Sequence, residues 1–481
     1  MTSRWVRWEN GAVFLILLTV TIIFRGSAIG DPNYHIDESL YLLIGDALSH
    51  GALPYVDIWD RKPLGLFLVY AAMAKLGRGV VPYQVCASIA ALATALLIAQ
   101  LARRRGGAVG AVLAGSLYLF GLSIFLGGGG QSPVFYNLPI VAAFSLLVKE
   151  WEDRGTAFLG RRGNTAVFLC GLAAFIKPTA IFEGAAIGLG FIYLVWKQRG
   201  SGAAAQRLLL FALIGAVPTL GGLLAYAILG HADSYWFANF VSIFRRISDA
   251  WLGFGQFWTF LLILSPLIAA TLLCMSQSGY AGMPVILYAA GAWCGFAAIP
   301  NFFAHYCLPL LPPMIIAAAW GFRSARAGQV YLVAIIAFWF SIFGLPDAAE
   351  RDRSARQFAA LTKAVNDYRA GGCIYVFDGP VSLYRSTGAC RVTPYVFPEH
   401  LNFAAERKGL PLAPRDAMTR LLEKKPAVIV VRQRPVVSSP NLITRTILRT
   451  ELQAHYRLAE TLPETTVEYT SNLDIWVRQT R

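Results

Sequence analysis

The sequence predicts a polytopic α-helical membrane protein with about eleven transmembrane helices and a small C-terminal α/β domain. The first observation is composition: of 481 residues, 56% are hydrophobic and 14% are charged, whereas soluble proteins carry about 25% charged residues. A single soluble core cannot hide so much apolar side chain. The second observation is a repeated apolar run of about 20 residues, the length that crosses a bilayer as a helix. Disordered, collagen-like and disulfide-scaffold proteins are excluded by the same composition.

The apolar runs occupy the first 346 residues and are separated by short polar breaks. They predict transmembrane helices at 11–29, 80–101, 108–126, 134–149, 164–176, 179–196, 208–230, 257–275, 283–300, 305–322 and 328–346. No small-residue cleavage site follows the first run, so we expect a retained helix rather than a removed signal peptide. An odd number of crossings places the two ends of this region on opposite sides of the membrane.

The net charge of +15 is distributed unevenly among the loops. One alternate set of loops is basic and includes Arg103, Lys149 and Lys197, whereas the other set carries acids such as Asp37 and Asp57. Because basic residues accumulate on the cytoplasmic side, we predict a cytoplasmic N-terminus and an outward-facing acidic set. The same rule explains the excess of basic residues without a nucleic-acid partner, for which the sequence shows no motif.

Beyond Pro346 the charged residues become frequent and the apolar runs become short. The pattern predicts two buried strands and two helices, at 373–377, 427–431, 349–369 and 414–424. Apolar runs of this length are too short to span a bilayer and are typical of strands buried in an α/β domain.

This change in charge and in the length of the apolar runs divides the chain into a membrane module, residues 1–346, and a soluble domain, residues 347–481. We predict that the soluble domain lies on the periplasmic side. The module includes a first outer loop at 30–79. In the soluble domain, Cys373 and Cys390 are able to form a disulfide if the compartment is oxidising, although spacing alone does not establish the bond. The sequence has no Cys-rich or His-rich spacing that indicates a metal site.

The first outer loop contains the densest outward-facing polar cluster. Asp37 and Glu38 open an amphipathic stretch that predicts a helix along the membrane surface, as does 64–76. Arg61 and Lys62 follow in the same loop. A carboxylate can accept a proton from an attacking hydroxyl, and a basic side chain can neutralise a departing phosphate. A second interpretation stays open, since an acid at this place also suits the N-terminal cap of the helix.

This loop resembles the first-loop pattern of GT-C glycosyltransferases. The resemblance lies in Asp37–Glu38, in the Gly-x-x-Pro-Tyr-x-Asp segment Gly51–Asp57, and in Asp60–Pro63. Two further blocks, 171–178 and 303–313, also fit the family. The branch that it resembles comprises bacterial relatives of protein O-mannosyltransferases, including the aminoarabinose lipid A transferases and the rhizobial galacturonosyltransferases. The resemblance covers the whole membrane module.

The resemblance implies an inverting glycosyltransferase of the bacterial inner membrane. It would move a sugar from a polyprenyl-phosphate donor to an envelope acceptor, namely lipopolysaccharide, polysaccharide, lipid or protein. By the same resemblance, Asp37 is the catalytic carboxylate and Glu38 supports it, while Lys62, Arg61 and Lys177 bind the donor phosphate. For Lys177 the alternative is a snorkelling side chain at the membrane boundary. The sequence lacks the glycine fingerprint of a Rossmann-type nucleotide site, in keeping with a lipid-linked donor.

The next outer loop departs from the family pattern. Relatives often carry an acid there in an Asn-x-Glu-like context, whereas here Gln131 fits the Asn position and Pro133 stands where the acid would be. Gln131 and Asn137 are therefore candidate substrate ligands. The departure leaves both the acceptor and the use of metal undecided. We predict no cofactor; a divalent metal is compatible with the sequence but is not indicated by it.

Four other outer residues are candidate substrate ligands. Arg245 and Arg246 lie in an aromatic-rich loop, 231–256, which is typical of an interfacial aromatic belt or of a mobile loop that grips a substrate. His305 and Tyr306 open a predicted span within one of the family-like blocks. A single histidine at such a place more often has a structural role.

Two other classes of function compete with the enzyme. A transporter or flippase of lipid-linked sugars would carry ionisable residues deep in several spans. The predicted spans contain few of them, chiefly Arg25 and Glu183, with Lys177 as the candidate partner of Glu183. A catalytically silent scaffold for envelope assembly is the other alternative, because the second family acid is missing.

Overall fold

The computed structural model describes residues 2–153, 159–246, 250–435 and 437–479. In chain order the α-helices are α1 (Thr2–Arg25), α2 (Ile36–Ser49), α3 (Leu64–Ala74), α4 (Val81–Ile124), α5 (Ser132–Glu152), α6 (Leu159–Ile176), α7 (Ala180–Ile228), α8 (Ala232–Trp236), α9 (Ser242–Arg245), α10 (Ala250–Gln277), α11 (Gly279–Ala297), α12 (Leu311–Trp320), α13 (Ala325–Phe343), α14 (Ala348–Arg369), α15 (Ser382–Thr387), α16 (Pro398–Asn402), α17 (Pro414–Glu423) and α18 (Leu442–His455). Phe237–Val241 is a π-helical turn, and Ala304–Leu310 and Ala404–Lys408 are 3-10 helices.

The chain forms two compact units. The first unit, which holds the long apolar helices, comprises Met1–Ser27, Val85–Gly222 and Ala250–Pro346. The second unit comprises Ala28–Gln84, Leu223–Asp249 and Asp347–Arg481. By compactness, the first loop (residues 30–79) therefore groups with the C-terminal domain (residues 347–481), although the sequence pattern assigned it to the membrane module.

Six helices in the described part of the chain are long and apolar enough to cross a membrane, namely α4, α5, α7, α10, α11 and α13. Two of them are interrupted, because Gly107 in α4 and Gly200 in α7 adopt positive φ angles of 63° and 80° with non-helical ψ. Glycine adopts this conformation without a steric penalty, so each of these helices consists of two segments. The six helices cover eight of the predicted spans. The count of eleven is not confirmed, since the other three fall on α1, α6 and the shorter apolar stretch Ala304–Trp320.

Small residues allow the helices of the first unit to approach closely. A Cβ atom added at Gly171 in α6 would lie 2.4 Å from the carbonyl oxygen of Gly215 in α7. Such contacts replace the hydrophobic effect as the cause of helix association in lipid. At the end of α1, buried Arg25 donates hydrogen bonds to the carbonyls of Gly127 at 2.6 Å and Gly129 at 2.5 Å. This ionisable residue therefore orders the glycine-rich loop after α4.

The second unit contains a four-stranded mixed sheet with the order β1-β2-β4-β3. The strands are β1 (Ile374–Val376), β2 (Val428–Arg432), β3 (Tyr456–Thr465) and β4 (Thr470–Arg478). Strands β1 and β2 are parallel, with Ile374 opposite Val428, and the remaining pairs are antiparallel. Strands β1 and β2 match the two predicted strands, and α14 and α17 match the two predicted helices. The β3–β4 hairpin has no counterpart in the prediction. Cys373 and Cys390 form a disulfide.

The first loop folds into the helix pair α2 and α3. The prediction of an amphipathic helix is wrong for α3, because Leu64–Ala74 carries apolar residues on every side and buries seven of its eleven positions. The pair packs closely at Gly45, where an added Cβ would lie 2.6 Å from the carbonyl carbon of Tyr70 and 2.7 Å from the nitrogen of Ala71. Only a glycine fits between these backbones without displacement.

A Gly45→Ala variant is therefore expected to destabilise the protein by about 1–3 kcal/mol, because the added methyl group forces α2 and α3 apart. The measurement is the melting temperature of the purified protein in detergent. Gly188→Ala is the matched control, since Gly188 lies inside α7 with nothing within 4 Å of an added Cβ, and alanine favours helix formation there. Equal melting temperatures for wild type and Gly45→Ala would contradict the close packing.

Candidate active site

The candidate site begins at the N-terminus of α2. His35 is the N-cap residue, with extended backbone angles (φ −146°, ψ 136°), and its Nδ1 accepts a hydrogen bond from the N–H of Asp37. The side-chain cap of this helix is thus His35 and not Asp37 or Glu38, so the capping interpretation of those two acids is wrong. Both acids lie in the first turn, where the helix dipole favours negative charge.

Asp37 and Lys62, predicted separately in one loop, lie together in the structure. The Lys62 Nζ atom is 3.9 Å from Asp37 Oδ1 and 5.2 Å from the centroid of the Tyr41 ring. Asp37 is largely buried, with 9% of its surface exposed, and Lys62 is more accessible. A carboxylate and an ammonium group therefore share one partly exposed position, which we call the Asp37–Lys62 pair.

A tight turn in the family-like segment sets the position of Lys62. Tyr55 has a positive φ of 70°, an uncommon conformation for a residue other than glycine. Its Oη donates to the carbonyl oxygen of Lys62 at 2.9 Å, and its N–H donates to that of Ile58 at 2.8 Å. The Asp57 carboxylate accepts a hydrogen bond from the N–H of Leu53 at 2.7 Å. The tyrosine and aspartate of the motif thus shape the loop that presents the lysine.

Glu38 points into the protein. It is fully buried, and its carboxylate accepts a hydrogen bond from the Tyr83 hydroxyl at 3.2 Å. In this position Glu38 links the first turn of α2 to the first turn of α4. Its supporting role beside Asp37 stays a prediction.

Arg61 contacts the C-terminal domain. Its guanidinium forms a bidentate ion pair with Glu406, which lies 345 positions away in the sequence. Arg246 Nε lies 2.8 Å from Oε1 of the same carboxylate. We call these three residues the arginine clasp. Burial alone would raise the pKa of Glu406, but the two guanidinium groups lower it to about 2.

Of the two arginines predicted in the 231–256 loop, Arg246 belongs to the clasp and Arg245 lies 5.5 Å from the Phe237 ring centroid. Residues 247–249 of this loop are outside the described part of the chain.

Beside the clasp, α16 brings further polar groups to the first loop. His400 Nε2 lies 3.9 Å from Asp60 Oδ1, and both side chains are buried. Burial lowers the pKa of His400 to about 3, so the imidazole is neutral and this contact is not an ion pair. Burial raises the pKa of Asp60. The preceding residue, Glu399, interacts electrostatically with Asp37 and Lys62.

Glu399, Glu406 and His400 were not predicted from the sequence. All three lie in the C-terminal domain, in a stretch without the hydrophobic periodicity that marked the strands and helices. No local signal distinguishes them from other polar residues of a soluble surface. Only the tertiary contacts of α16 and of the 3-10 helix Ala404–Lys408 with the first loop bring them near the Asp37–Lys62 pair.

Several polar contacts hold the start of the first loop on the C-terminal domain. Ser354 donates to Asp31 at 2.7 Å, and Asn33 donates to Glu464 at 3.0 Å. The carboxylate of Glu464 is in turn bound by buried Arg432 at 2.6 Å. His35, the N-cap of α2, lies 3.6 Å from Glu468. The C-terminal domain therefore helps to place the helix that carries Asp37.

The remaining predicted residues belong to the first unit. Lys177 is buried, and its Nζ lies 4.5 Å from the Tyr306 ring centroid. Lys177, Tyr306 and buried Glu183 line one small cavity. Asn137 is fully buried and donates to the Tyr118 hydroxyl at 3.3 Å and to the Leu308 carbonyl at 3.2 Å.

Two further predicted residues of this unit are buried as well. Gln131 is the N-cap residue of α5 and is fully buried. His305 stacks on Phe303 with ring centroids 5.9 Å apart. As for metal ligands, within the described ranges no group of three His, Cys, Asp or Glu side chains could hold a metal ion.

The apolar helices and the small mixed sheet together have the fold of solved GT-C enzymes. A solved structure with this fold is ArnT, the aminoarabinose lipid A transferase, from Cupriavidus metallidurans bound to undecaprenyl phosphate. It matches with a TM-score of 0.60 at 12% identity, over 99% of this chain and 98% of ArnT. The apo state of the same ArnT matches with a TM-score of 0.59 at 12% identity, over 98% of both chains.

A third solved structure, the oligosaccharyltransferase AglB from Archaeoglobus fulgidus with an inhibitory peptide and a dolichol-phosphate, has a TM-score of 0.45 at 10% identity. That match covers 89% of this chain and 70% of AglB. The sequence matches no family model and no curated protein in the corresponding comparisons. At such low identity the similarity to ArnT establishes the fold alone.

Proposed function

We propose that this protein is an inverting glycosyltransferase that moves a sugar from a polyprenyl-phosphate donor to an envelope acceptor at the outer face of the bacterial inner membrane. The observation that carries the proposal is the Asp37–Lys62 pair, in which a carboxylate and an ammonium group lie 3.9 Å apart at a partly exposed position. The undecaprenyl phosphate bound to ArnT, which has the same fold, supports the class of donor.

In the proposed reaction, a hydroxyl oxygen of the acceptor attacks the anomeric carbon of the donor sugar. The new bond forms on the face opposite the phosphate, and the bond from the anomeric carbon to the phosphate oxygen breaks. Polyprenyl phosphate leaves with the electron pair of that bond. Asp37 takes the proton from the attacking hydroxyl as a general base. The ammonium group of Lys62 offsets the negative charge that grows on the leaving phosphate.

The resting contact between Asp37 and Lys62 fits this sequence of events. While the two side chains are paired, the ammonium group contacts the carboxylate that is to accept the proton. The incoming phosphodiester of the donor competes for Lys62 through charge-assisted hydrogen bonds, and its negative charge increases to that of a phosphate monoester as the bond to the sugar breaks. Donor binding would therefore free Asp37 to accept the proton of the acceptor. Lys177 is proposed as a second phosphate ligand on the basis of the family-like block alone.

The competing transporter hypothesis depended on ionisable residues within the spans. Arg25 binds the carbonyls of the glycine-rich loop, which is a structural role. Glu183 and Lys177 line a small cavity of the first unit, and they are the remaining support for transport.

The test of the proposed function uses purified protein in detergent micelles, where no membrane separates two compartments. The substrates are polyprenyl-phosphate sugars and envelope glycans extracted from a strain that lacks the gene. A transferase is expected to release polyprenyl phosphate and to add one sugar mass to one glycan, as read by mass spectrometry. A transporter or a silent scaffold would leave both pools unchanged.

A Lys62→Met variant is expected to raise the KM for the donor by about 10- to 100-fold, because one charge-assisted hydrogen bond to phosphate is lost. Lys62→Arg is expected to retain part of the affinity, since a guanidinium also binds phosphate. Initial rates at varied donor concentration give the KM values. Lys363→Met is the control, since Lys363 is an exposed lysine of α14 that pairs with Asp367. A wild-type KM for Lys62→Met would assign the phosphate to another residue.

A further inference from the structure

Glu399 is a carboxylate of the C-terminal domain that interacts electrostatically with the Asp37–Lys62 pair. It lies in the first turn of the short helix α16, and the residues on either side of it contact the first loop. The N–H of Trp59 donates to the carbonyl of Pro394 at 3.0 Å, and the side chain of His400 lies 3.9 Å from Asp60. These contacts on either side of Glu399 hold α16 next to the segment that ends in Lys62.

Glu399 differs from Glu406, the other acid of the C-terminal domain at this place. Both oxygens of the Glu406 carboxylate are engaged by Arg61 and Arg246 in the arginine clasp. Glu399 is half-buried, and its carboxylate has no hydrogen-bond partner among the residues that the structure describes. It retains its full capacity to accept hydrogen bonds while it lies within electrostatic range of Asp37 and Lys62.

We propose that Glu399 is a substrate-binding residue that accepts hydrogen bonds from the hydroxyl groups of a saccharide placed at the Asp37–Lys62 pair. A carboxylate oxygen accepts such bonds strongly because it is ionised, and one carboxylate can bind two adjacent hydroxyl groups. The inference rests on the proposed transferase function and adds a residue of the C-terminal domain to the site. Two saccharides meet there, the donor sugar and the acceptor, and both offer the same hydroxyl chemistry.

The surroundings of Glu399 give the interaction a dependence on pH. Burial raises the pKa of this carboxyl to about 7, while Arg246 and Lys62 oppose the increase and the negative charges of Asp37 and Glu406 add to it. His35 also interacts with the Glu399 carboxylate. Glu399 thus gains its full charge as the pH rises from about 6 to about 8. Saccharide binding that depends on the ionised form is expected to strengthen over this range.

The test compares Glu399→Gln and Glu399→Ala with wild type in the micelle assay. Both variants are expected to raise the KM for one saccharide substrate while kcat changes less, by about 10-fold for Gln, which retains one acceptor oxygen, and up to about 100-fold for Ala. A rise in the donor KM assigns Glu399 to the donor sugar, and a rise in the acceptor KM assigns it to the acceptor. The decrease of that KM between pH 6 and pH 8 should disappear in both variants.

Glu423→Gln is the matched control, because Glu423 is an exposed acid at the end of α17 in the same domain. Melting temperatures show whether each variant is folded. Folded Glu399 variants with wild-type KM values and a wild-type pH profile would overturn the inference. Absence of transfer by the wild-type protein would instead overturn the proposed function, so the two failures are distinguishable.

Discussion

An Asp37→Asn variant is expected to lose about 10²- to 10⁴-fold of the transfer rate, which is the usual contribution of a general base. Asparagine has the shape of aspartate but cannot take the proton of the attacking hydroxyl. The helix should form as before, because its side-chain cap is His35. The donor KM should stay the same or fall, since the Asp37 carboxylate no longer competes with the phosphate for Lys62. Together, a large loss in kcat and an undiminished donor affinity identify a proton acceptor rather than a structural residue.

The measurement uses a strain that lacks the gene, complemented with wild type or with Asp37→Asn at matched membrane levels. Mass spectrometry quantifies polyprenyl-phosphate sugars and envelope glycans. The strain without the gene and the strain that carries Asp37→Asn should both accumulate one lipid-linked sugar, and that sugar should be missing from one glycan. Asp416→Asn, at an exposed position of α17, should behave as wild type. Full restoration of the glycan by Asp37→Asn would exclude Asp37 as the base and favour the transporter or scaffold.

A Glu406→Ala variant is expected to destabilise the protein by about 3–5 kcal/mol, because removal of one partner leaves buried charge without compensation. Glu406 binds both Arg61 and Arg246, whose side chains are only 11% and 14% exposed. The same change should reduce the transfer rate, since Arg61 precedes Lys62 and the clasp fixes the segment that presents the lysine. The melting temperature in detergent and the micelle assay measure the two effects.

The pH dependence of stability provides a separate check on the clasp. The pKa of Glu406 is about 2 in the folded protein, below its ordinary value of 4.5. Its contribution to stability is therefore fully present above about pH 4.5 and is lost as the pH falls toward 2. Wild type should lose this stability in acid, and Glu406→Ala should lack this part of the acid transition. Glu423→Gln serves as the control.

A charge-free clasp separates stability from function. Replacing Arg61, Arg246 and Glu406 together by methionine removes every charge of the clasp, and such replacements are often neutral or stabilising. We expect the triple variant to melt near wild type, whereas Glu406→Ala alone melts earlier. If Glu406→Ala and wild type have the same melting temperature, the arginines find other partners and the clasp is not a stabilising element.

Much of the fold could be predicted because its signals are local. The apolar runs of membrane length, the charge of the loops, and the short apolar runs of β1 and β2 are each visible in a short stretch of the sequence. The β3–β4 hairpin was missed because its exposed strands lack a continuous apolar run. The capping interpretation of Asp37 and Glu38, which the sequence left open because an acid suits a helix start by residue type, is wrong because the backbone makes His35 the cap.

By itself, the sequence determined the fold class and placed the candidate residues Asp37 and Lys62 in one loop. Hydrophobicity and helical period are properties of neighbouring residues, and the roles expected of Asp37 and Lys62 follow from a resemblance that is visible within this one loop. Only the tertiary structure decided that these two side chains lie 3.9 Å apart, that Arg61 pairs with Glu406 across 345 positions, and that Glu399 lies beside them. Such contacts depend on how the whole chain folds back on itself, and no local pattern encodes the meeting of residues so far apart in sequence.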